Sequence, residues 1–148
     1  MPKLSRWFIK TGIIYLVFAL FMGIGMEFPN ISLLSTYMVN LFPSFYHALA
    51  VGWITQLIFG VAYWMFPRYS KEEPRGKESL GWLVYIFINA GLIMRVIFEP
   101  INGSGHRSML VMTALVISAI LQWLAGLLFA VNTWSRVKGR NKKNRKRA

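Results

Sequence analysis

Four apolar stretches of about 20 residues each dominate this 148-residue chain and restrict what it can fold into. Proline, glycine or charged residues separate them, and they cover approximately residues 7–26, 44–66, 80–98 and 107–134. The hydrocarbon core of a bilayer is about 30 Å thick, so a helix rising about 1.5 Å per residue crosses it in about 20 residues. The sequence therefore predicts an all-α fold, a membrane-spanning four-helix bundle that occupies residues 1–137.

The basic residues predict how this bundle is oriented. Fifteen of the seventeen Lys and Arg residues lie at the start of the first stretch, between the second and third stretches, or after the fourth. Four spans place these three segments on one side of the membrane, and positive charge marks the cytoplasmic side. We therefore expect a multi-pass protein of the cell (inner) membrane with both termini in the cytoplasm. Only Arg95 and Arg107 lie outside these basic segments.

The last residues, 138–148, are strongly basic and have no apolar periodicity. Such a composition is typical of a disordered segment, here a cytoplasmic tail attracted to anionic lipid. Membrane lipid is thus one expected partner. Nucleic acid is not, because the charges collect at the ends of spans instead of covering one face.

Small residues recur at four-residue spacing in two of the stretches. Helices in lipid associate by close packing of small side chains and by a few hydrogen bonds, so such stripes predict packing seams. We expect Gln56 and Gln122 to form hydrogen bonds across the bundle. The two stripes are Ala48, Gly52, Gln56 and Gly60 in the second stretch, and Ser118, Gln122, Gly126 and Ala130 in the fourth.

Ionisable residues near the outer ends of the spans are candidate functional groups, because placing them in a membrane costs free energy. Taken singly, each histidine fits an interfacial imidazole, and Arg95 with Glu99 fits a local i, i+4 ion pair. Together they match a membrane haem b site, in which two imidazoles ligate the iron and cations pair with the propionates. The predicted axial, metal-binding ligands are His47 and His106, and the predicted propionate partners are Arg95 and Arg107.

The depths of the two histidines do not agree when counted along the chain. His106 precedes Trp134 by 28 residues, whereas His47 precedes Pro67 by 20. At about 1.5 Å per residue the difference is about 12 Å. Either the fourth helix projects into the cytoplasm by two turns, which the polar Asn132 makes plausible, or the histidines lie at different depths.

Other chemistries fit the composition less well. The chain has no cysteine, so it can form no disulfide, iron–sulfur cluster or c-type haem attachment. Two histidines and a lone glutamate make a poor zinc site, no aspartate is present for a triad, and no glycine-rich phosphate loop occurs. A small-molecule carrier or ion pathway has little support, because polar residues look sparse at mid-depth. No catalytic residue is predicted.

The stretch FYHALAVGWITQLIFGVAYWMFPR, residues 45–68, resembles the second helix of haem-copper oxidase subunit I, especially in the nitric-oxide-reductase-like branch. In that helix a histidine near the outer end is an axial ligand of the low-spin haem b, and the helix finishes at a Tyr-x-x-x-Pro-Arg-like end. The matching positions here are His47, Val51-Gly52-Trp53, Phe59-Gly60, Tyr63 and Pro67-Arg68.

This resemblance implies a short four-helix relative in which His47 is a haem ligand and, by analogy, His106 is the second one. The copper site of that family needs three further histidines, which this chain lacks. Ligation by two histidines leaves no open iron position and favours electron transfer, with a quinol or an extracytoplasmic redox protein, over an enzymatic reaction. A haem store or sensor, a homo-oligomer, and a cofactor-free membrane subunit or assembly factor of a respiratory complex remain alternatives.

Overall fold

The computed structural model describes residues 1–27, 40–67, 76–105, 108–134 and 136–137, and it is all-helical apart from short turns. Four helices in these residues are long and apolar enough to cross a membrane. They are α1 (Lys3–Met26), α2 (Phe42–Met65), α3 (Glu78–Gly103) and α4 (Met109–Trp134). The all-α fold with four candidate spans is thereby confirmed. The predicted tail at 138–148 lies outside the described residues.

Two details of the helices differ from the sequence-based prediction. The α3 helix continues through Pro100 to Gly103, five residues beyond the predicted end at residue 98. Within α2, the segment Ala48–Thr55 is a π-helix, and the Thr55 hydroxyl donates to the carbonyl of Ala50, five residues earlier, at 2.8 Å. Such segments are rare and often lie at functional sites. This one begins directly after His47.

The bundle consists of two antiparallel helix pairs, α1 with α2 and α3 with α4, joined mainly through α3. One end of the bundle holds the start of α1, the end of α2, the start of α3 and the end of α4, and we call it the basic end after Lys3, Arg6, Lys10 and Arg136. The other end holds the start of α2 and the end of α3. We call it the histidine end after His47.

The small-residue stripe of α2 is a packing seam, as predicted. All four of its members are buried, and a Cβ atom at Gly52 would lie 2.7 Å from the Tyr15 ring. Gln56 crosses to α3, where its amide group exchanges two hydrogen bonds with Asn89, at 3.2 and 3.3 Å. The second helix therefore uses glycine for close approach and one amide pair for polar contact.

The predicted stripe of α4 packs only in part. Ser118 is buried and donates to the carbonyl of Gly91 at 2.6 Å, but a Cβ atom at Gly126 would have no neighbour within 4 Å and Ala130 is exposed. Gln122 donates to Ser118 within its own helix, so the expected hydrogen bond across the bundle is wrong for this residue. In this half of α4 the packed residues are Ala125 and Phe129, each one position before the predicted Gly126 and Ala130.

An aromatic core joins the helices in the half of the bundle near the basic end. Phe59 of α2 stacks on Phe129 of α4 at a ring distance of 3.8 Å, and Phe8 of α1 packs edge-on against Phe59 and against Tyr85 of α3. Aromatic contacts add to the close packing on which helices in lipid depend. This core therefore sets the relative positions of the four helices.

The ends of α2 and α4 lie level at the basic end. Arg136, two residues after α4, donates to the carbonyls of Pro67 and Phe66 at 3.0 and 2.8 Å. Asn132 is buried, and a Cβ atom at Gly76 would lie 2.6 Å from its amide oxygen. The suggestion that α4 projects two turns beyond its neighbours is therefore wrong, because Arg136 and Asn132 contact the ends of other helices instead of standing clear of them.

Candidate functional site

His47 lies in the second turn of α2, at the histidine end. Its Nδ1 atom is 2.8 Å from the carbonyl oxygen of Pro43, one turn earlier, and 3.3 Å from the Oε2 atom of Glu99 on α3. Proline at the start of a helix is well tolerated, and here its carbonyl is an acceptor for the imidazole four residues later. The position of the ring is thus determined from two helices.

Glu99 is the centre of the polar group at this end. Its Oε1 atom accepts from Arg95 Nη1 at 2.8 Å, and its Oε2 atom accepts from the hydroxyl of Ser44 at 3.3 Å. The Glu99 side chain is only 10% exposed and Ser44 is fully buried. One carboxylate therefore connects α2 to α3 and brings His47 and Arg95 into one cluster, which we call the Glu99 cluster (Ser44, His47, Arg95 and Glu99).

The hydrogen bonds of His47 determine which of its ring nitrogens can bind a ligand. Both of its acceptors, the Pro43 carbonyl and the Glu99 carboxylate, face Nδ1, so the neutral ring carries its proton there. The Nε2 atom then has a free lone pair, and it has no hydrogen bond to any described residue. Histidines that bind metals commonly donate their other N–H to a carbonyl or carboxylate in this way. The His47 side chain is 30% exposed.

Arg95 keeps one buried donor without an acceptor. Its Nη1 is bound to Glu99, but its Nε is buried and has no hydrogen-bond partner among the described residues. A buried donor that lacks an acceptor costs about 1 to 3 kcal/mol, and such groups often face an ion or ligand. Arg95 can therefore still pair with an anionic group while it holds Glu99.

His106 and Arg107, the other two predicted site residues, lie outside the described residues. Because the ends of α2 and α4 lie level, the count along the chain now predicts the other alternative, that His106 and His47 lie at different depths, and the ligand pair itself stays a prediction. Within the described part of the chain, no group of three or more His or acidic residues is placed to hold a metal ion. A haem is ligated by fewer protein groups than such a cluster, and His47 is the described residue that suits it.

No protein-family model, no curated protein and no solved structure matches the chain. The resemblance of residues 45–68 to haem-copper oxidase subunit I therefore remains a prediction. The structure adds one local observation: the histidine that carries this resemblance has its Nδ1 beside the Pro43 carbonyl and the Glu99 carboxylate, and its Nε2 has no hydrogen bond to a described residue.

The expected hydrogen bond of Gln56 across the bundle is confirmed, but the sequence reasoning missed its partner Asn89, and it also missed Ser44. The Thr11 hydroxyl also lies 2.7 Å from the phenolic oxygen of Tyr85, so the expectation of sparse polar groups at mid-depth is wrong. Asn89 in an apolar stretch was itself a sufficient indication, because an amide in a span requires a partner. Ser44 could have been found from its position, because it lies three residues before His47 and therefore on the same helix face.

Proposed function

We propose that the chain is a membrane b-type cytochrome, in which His47 Nε2 is one axial ligand of a low-spin haem. The observation that carries this proposal is the anchoring of His47 Nδ1 by the Pro43 carbonyl and the Glu99 carboxylate. Because the hydrogen bond to Pro43 and the close contact with Glu99 orient the ring, His47 loses little rotational entropy when its Nε2 binds. The proline and the carboxylate thus prepare a ligand instead of only satisfying a polar side chain.

Arg95 would bind a propionate of this haem. Its guanidinium is held by Glu99 through Nη1, and its buried Nε has no acceptor in the described residues. A propionate oxygen would satisfy this donor with a charge-assisted hydrogen bond, which is about twice as strong as a neutral one. The ion pair with Glu99 keeps the guanidinium from reorienting before the propionate arrives.

His106 would supply the second axial nitrogen and Arg107 a second cation, as the sequence predicts. A haem ligated by two imidazoles supplies reversible one-electron transfer and has no open coordination position. In this proposal Pro43 and Glu99 orient the His47 imidazole, and the surrounding side chains keep water from the haem. We expect the electron partner to be a quinol or an extracytoplasmic redox protein, and the protein to lie in the cell (inner) membrane with both termini in the cytoplasm.

A reduced-minus-oxidised absorption spectrum of the purified full-length protein tests this proposal. We expect a haem b band in the wild type, and its loss, or conversion to the spectrum of a high-spin haem, in His47→Ala. Tyr46→Ala is the matched control, because Tyr46 is the adjacent residue and is exposed, and this variant should keep the band. His106→Ala should lose or convert the band in the same way.

Absence of a haem band from the wild type, or an unchanged band in His47→Ala, would contradict the proposal. Circular dichroism of each variant separates loss of haem from loss of fold, because the helical signal should be the same in all four proteins. A changed band in Tyr46→Ala equal to that in His47→Ala would show that the spectrum reports general disturbance of α2.

A second candidate is a cofactor-free membrane subunit or assembly factor of a respiratory complex. It is favoured by the open half of the α4 stripe, where Gly126 has no near neighbour and Ala130 is exposed. Small residues on an exposed helix face permit the close approach of another helix. If this candidate is right, the protein should be colourless and should tolerate alanine at His47. Replacing Gly126 with leucine should then abolish binding to the helix of the partner protein.

A further inference from the structure

A cavity of about 420 Å³ lies at the basic end of the bundle. Among the described residues, the side chains that line it are those of Lys3, Arg6, Trp7 and Lys10, all from the first two turns of α1. Their spacing of three, four and seven residues places them on one face of the helix. Three cations and one indole therefore border a single space on the α1 side.

The positive charge around this cavity is not compensated within the described part of the protein. The ion pairs found there both involve Glu99 at the opposite end, and none involves Lys3, Arg6 or Lys10. The first turn of α1 contains no acidic residue, and no side chain caps its N-terminus. Because like charges repel and the N-terminal end of a helix is itself partly positive, an anion in the cavity would stabilise this turn.

An exposed apolar stripe continues from the cavity along the same face of α1. Ile14, Val17 and Phe21 are each more than 60% exposed, and they follow Lys10 at helical spacing. From Lys10, beside the cavity, to Phe21, at the far end of the stripe, the distance along the helix is about 16 Å at about 1.5 Å per residue, which is close to half of a bilayer hydrocarbon core of about 30 Å. The cavity and the stripe together thus match the depth of one leaflet.

We propose that this face of α1 binds one anionic phospholipid. Its phosphate lies among Lys3, Arg6 and Lys10, and one acyl chain lies along Ile14, Val17 and Phe21. Trp7 contacts the region between them, where indole rings are favoured because they combine an apolar ring with an N–H donor. This site does not involve the Glu99 cluster, so the proposal does not depend on haem binding.

Native mass spectrometry of the full-length protein in a neutral detergent tests the site. Phosphatidylglycerol and phosphatidylcholine with the same acyl chains are added at equal concentrations. We expect the wild type to retain one phosphatidylglycerol and to prefer it to phosphatidylcholine. Each cation close to an anionic lipid contributes about fivefold to binding, so the variant K3Q/R6Q/K10Q should lose at least about tenfold in affinity.

The control variant K142Q/K143Q/R145Q removes the same charge from the C-terminal segment. It should retain phosphatidylglycerol within about twofold of the wild type. The variant K3R/K10R keeps the charges and should bind normally, which shows that substitution at these positions does not itself unfold α1.

Equal losses in the two triple-glutamine variants would overturn the proposal, because binding would then follow net charge and not this cavity. Equal retention of the two lipids by the wild type would also overturn it, as would weak binding by K3R/K10R. Inorganic phosphate that displaced phosphatidylglycerol at millimolar concentration would show a small-anion site, and would refute the assignment of a lipid.

Discussion

Two arginines occupy opposite ends of the bundle and are held in different ways. At the basic end Arg136 is 2% exposed and donates to three main-chain carbonyls at the end of α2, those of Tyr63, Phe66 and Pro67. At the histidine end Arg95 is bound to the single carboxylate of Glu99.

The difference between these acceptors separates a structural role from a binding role. The last carbonyls of a helix have no partner within it, so the Arg136 guanidinium caps α2 and places its charge at the negative end of the helix. It also lies over the rings of Tyr63 and Phe66. Arg95 makes no main-chain contact of this kind with the described residues, and its carboxylate partner also contacts His47. We therefore assign Arg136 to the fold, and we keep Arg95 as a residue of the proposed site.

Replacing Arg136 should have the largest effect on stability. Arg136→Ala removes three charge-assisted hydrogen bonds and leaves the end of α2 uncapped, so we expect the free energy of unfolding to fall by about 3 kcal/mol. Titration of the purified protein with a denaturing detergent, followed by circular dichroism, measures this change. Arg136→Lys keeps the charge but cannot reach three carbonyls at once, and it should recover about half of the loss.

Arg140→Ala is the control for Arg136, because it removes the same charge four residues further along the chain. It should change the stability by less than about 0.5 kcal/mol. If Arg136→Ala were equally mild, Arg136 would not cap α2, and the contrast between the two arginines would fail.

The capping role of Arg136 illustrates which parts of the fold were predictable. Four long apolar stretches with breaks between them predict four helices whatever their partners are, because the bilayer sets the length. The basic residues at the end of α4 were all interpreted as charges outside the membrane. Arg136 differs from the others because the end of α2 lies beside it. The distance between Arg136 and the end of α2 is set by packing between residues about 70 positions apart.

The candidate site was also predicted only in part, because its local features can be found from sequence and its contacts between helices cannot. His47 and the Arg95–Glu99 pair were found from sequence, because ionisable residues in apolar stretches are conspicuous and an i, i+4 pair is local. That Glu99 also reaches His47 and Ser44 on another helix could not be read from spacing. The register between α2 and α3, which the glycine seam at Gly52 helps to set, determines that contact.

Replacing Glu99 should have an intermediate effect and should act on the site as well as on stability. In Glu99→Gln the Arg95 guanidinium loses its counter-charge and His47 loses its carboxylate partner, so we expect unfolding to become about 2 kcal/mol easier. The haem band of the wild-type protein should shift or weaken, because the His47 ring is less well oriented. Detergent titration and the reduced-minus-oxidised spectrum measure the two effects.

The control for Glu99 is Glu78→Gln, which neutralises an exposed carboxylate at the other end of α3 and should affect neither measurement. A spectrum unchanged in Glu99→Gln, together with a haem band that depends on His47, would show that the Pro43 carbonyl alone orients the imidazole. The distinction between the two arginines would then rest only on their acceptors, a carboxylate for Arg95 and main-chain carbonyls for Arg136.

The Gln56–Asn89 pair lies between the two ends, carries no charge and should show the smallest effect. Its two hydrogen bonds cross from α2 to α3, and Asn89 also donates to the Tyr85 carbonyl at 2.8 Å. A double-mutant cycle of Gln56→Leu and Asn89→Leu should give a coupling energy of about 0.6 kcal/mol, the average for such contacts in a membrane. Gln56→Leu paired with Thr113→Val, whose hydroxyl bonds within α4, should give no coupling. A coupling near 2 kcal/mol would mean that this neutral pair contributes as much to stability as Glu99 does. Charge would then no longer explain why residues at the two ends contribute more than those in the middle.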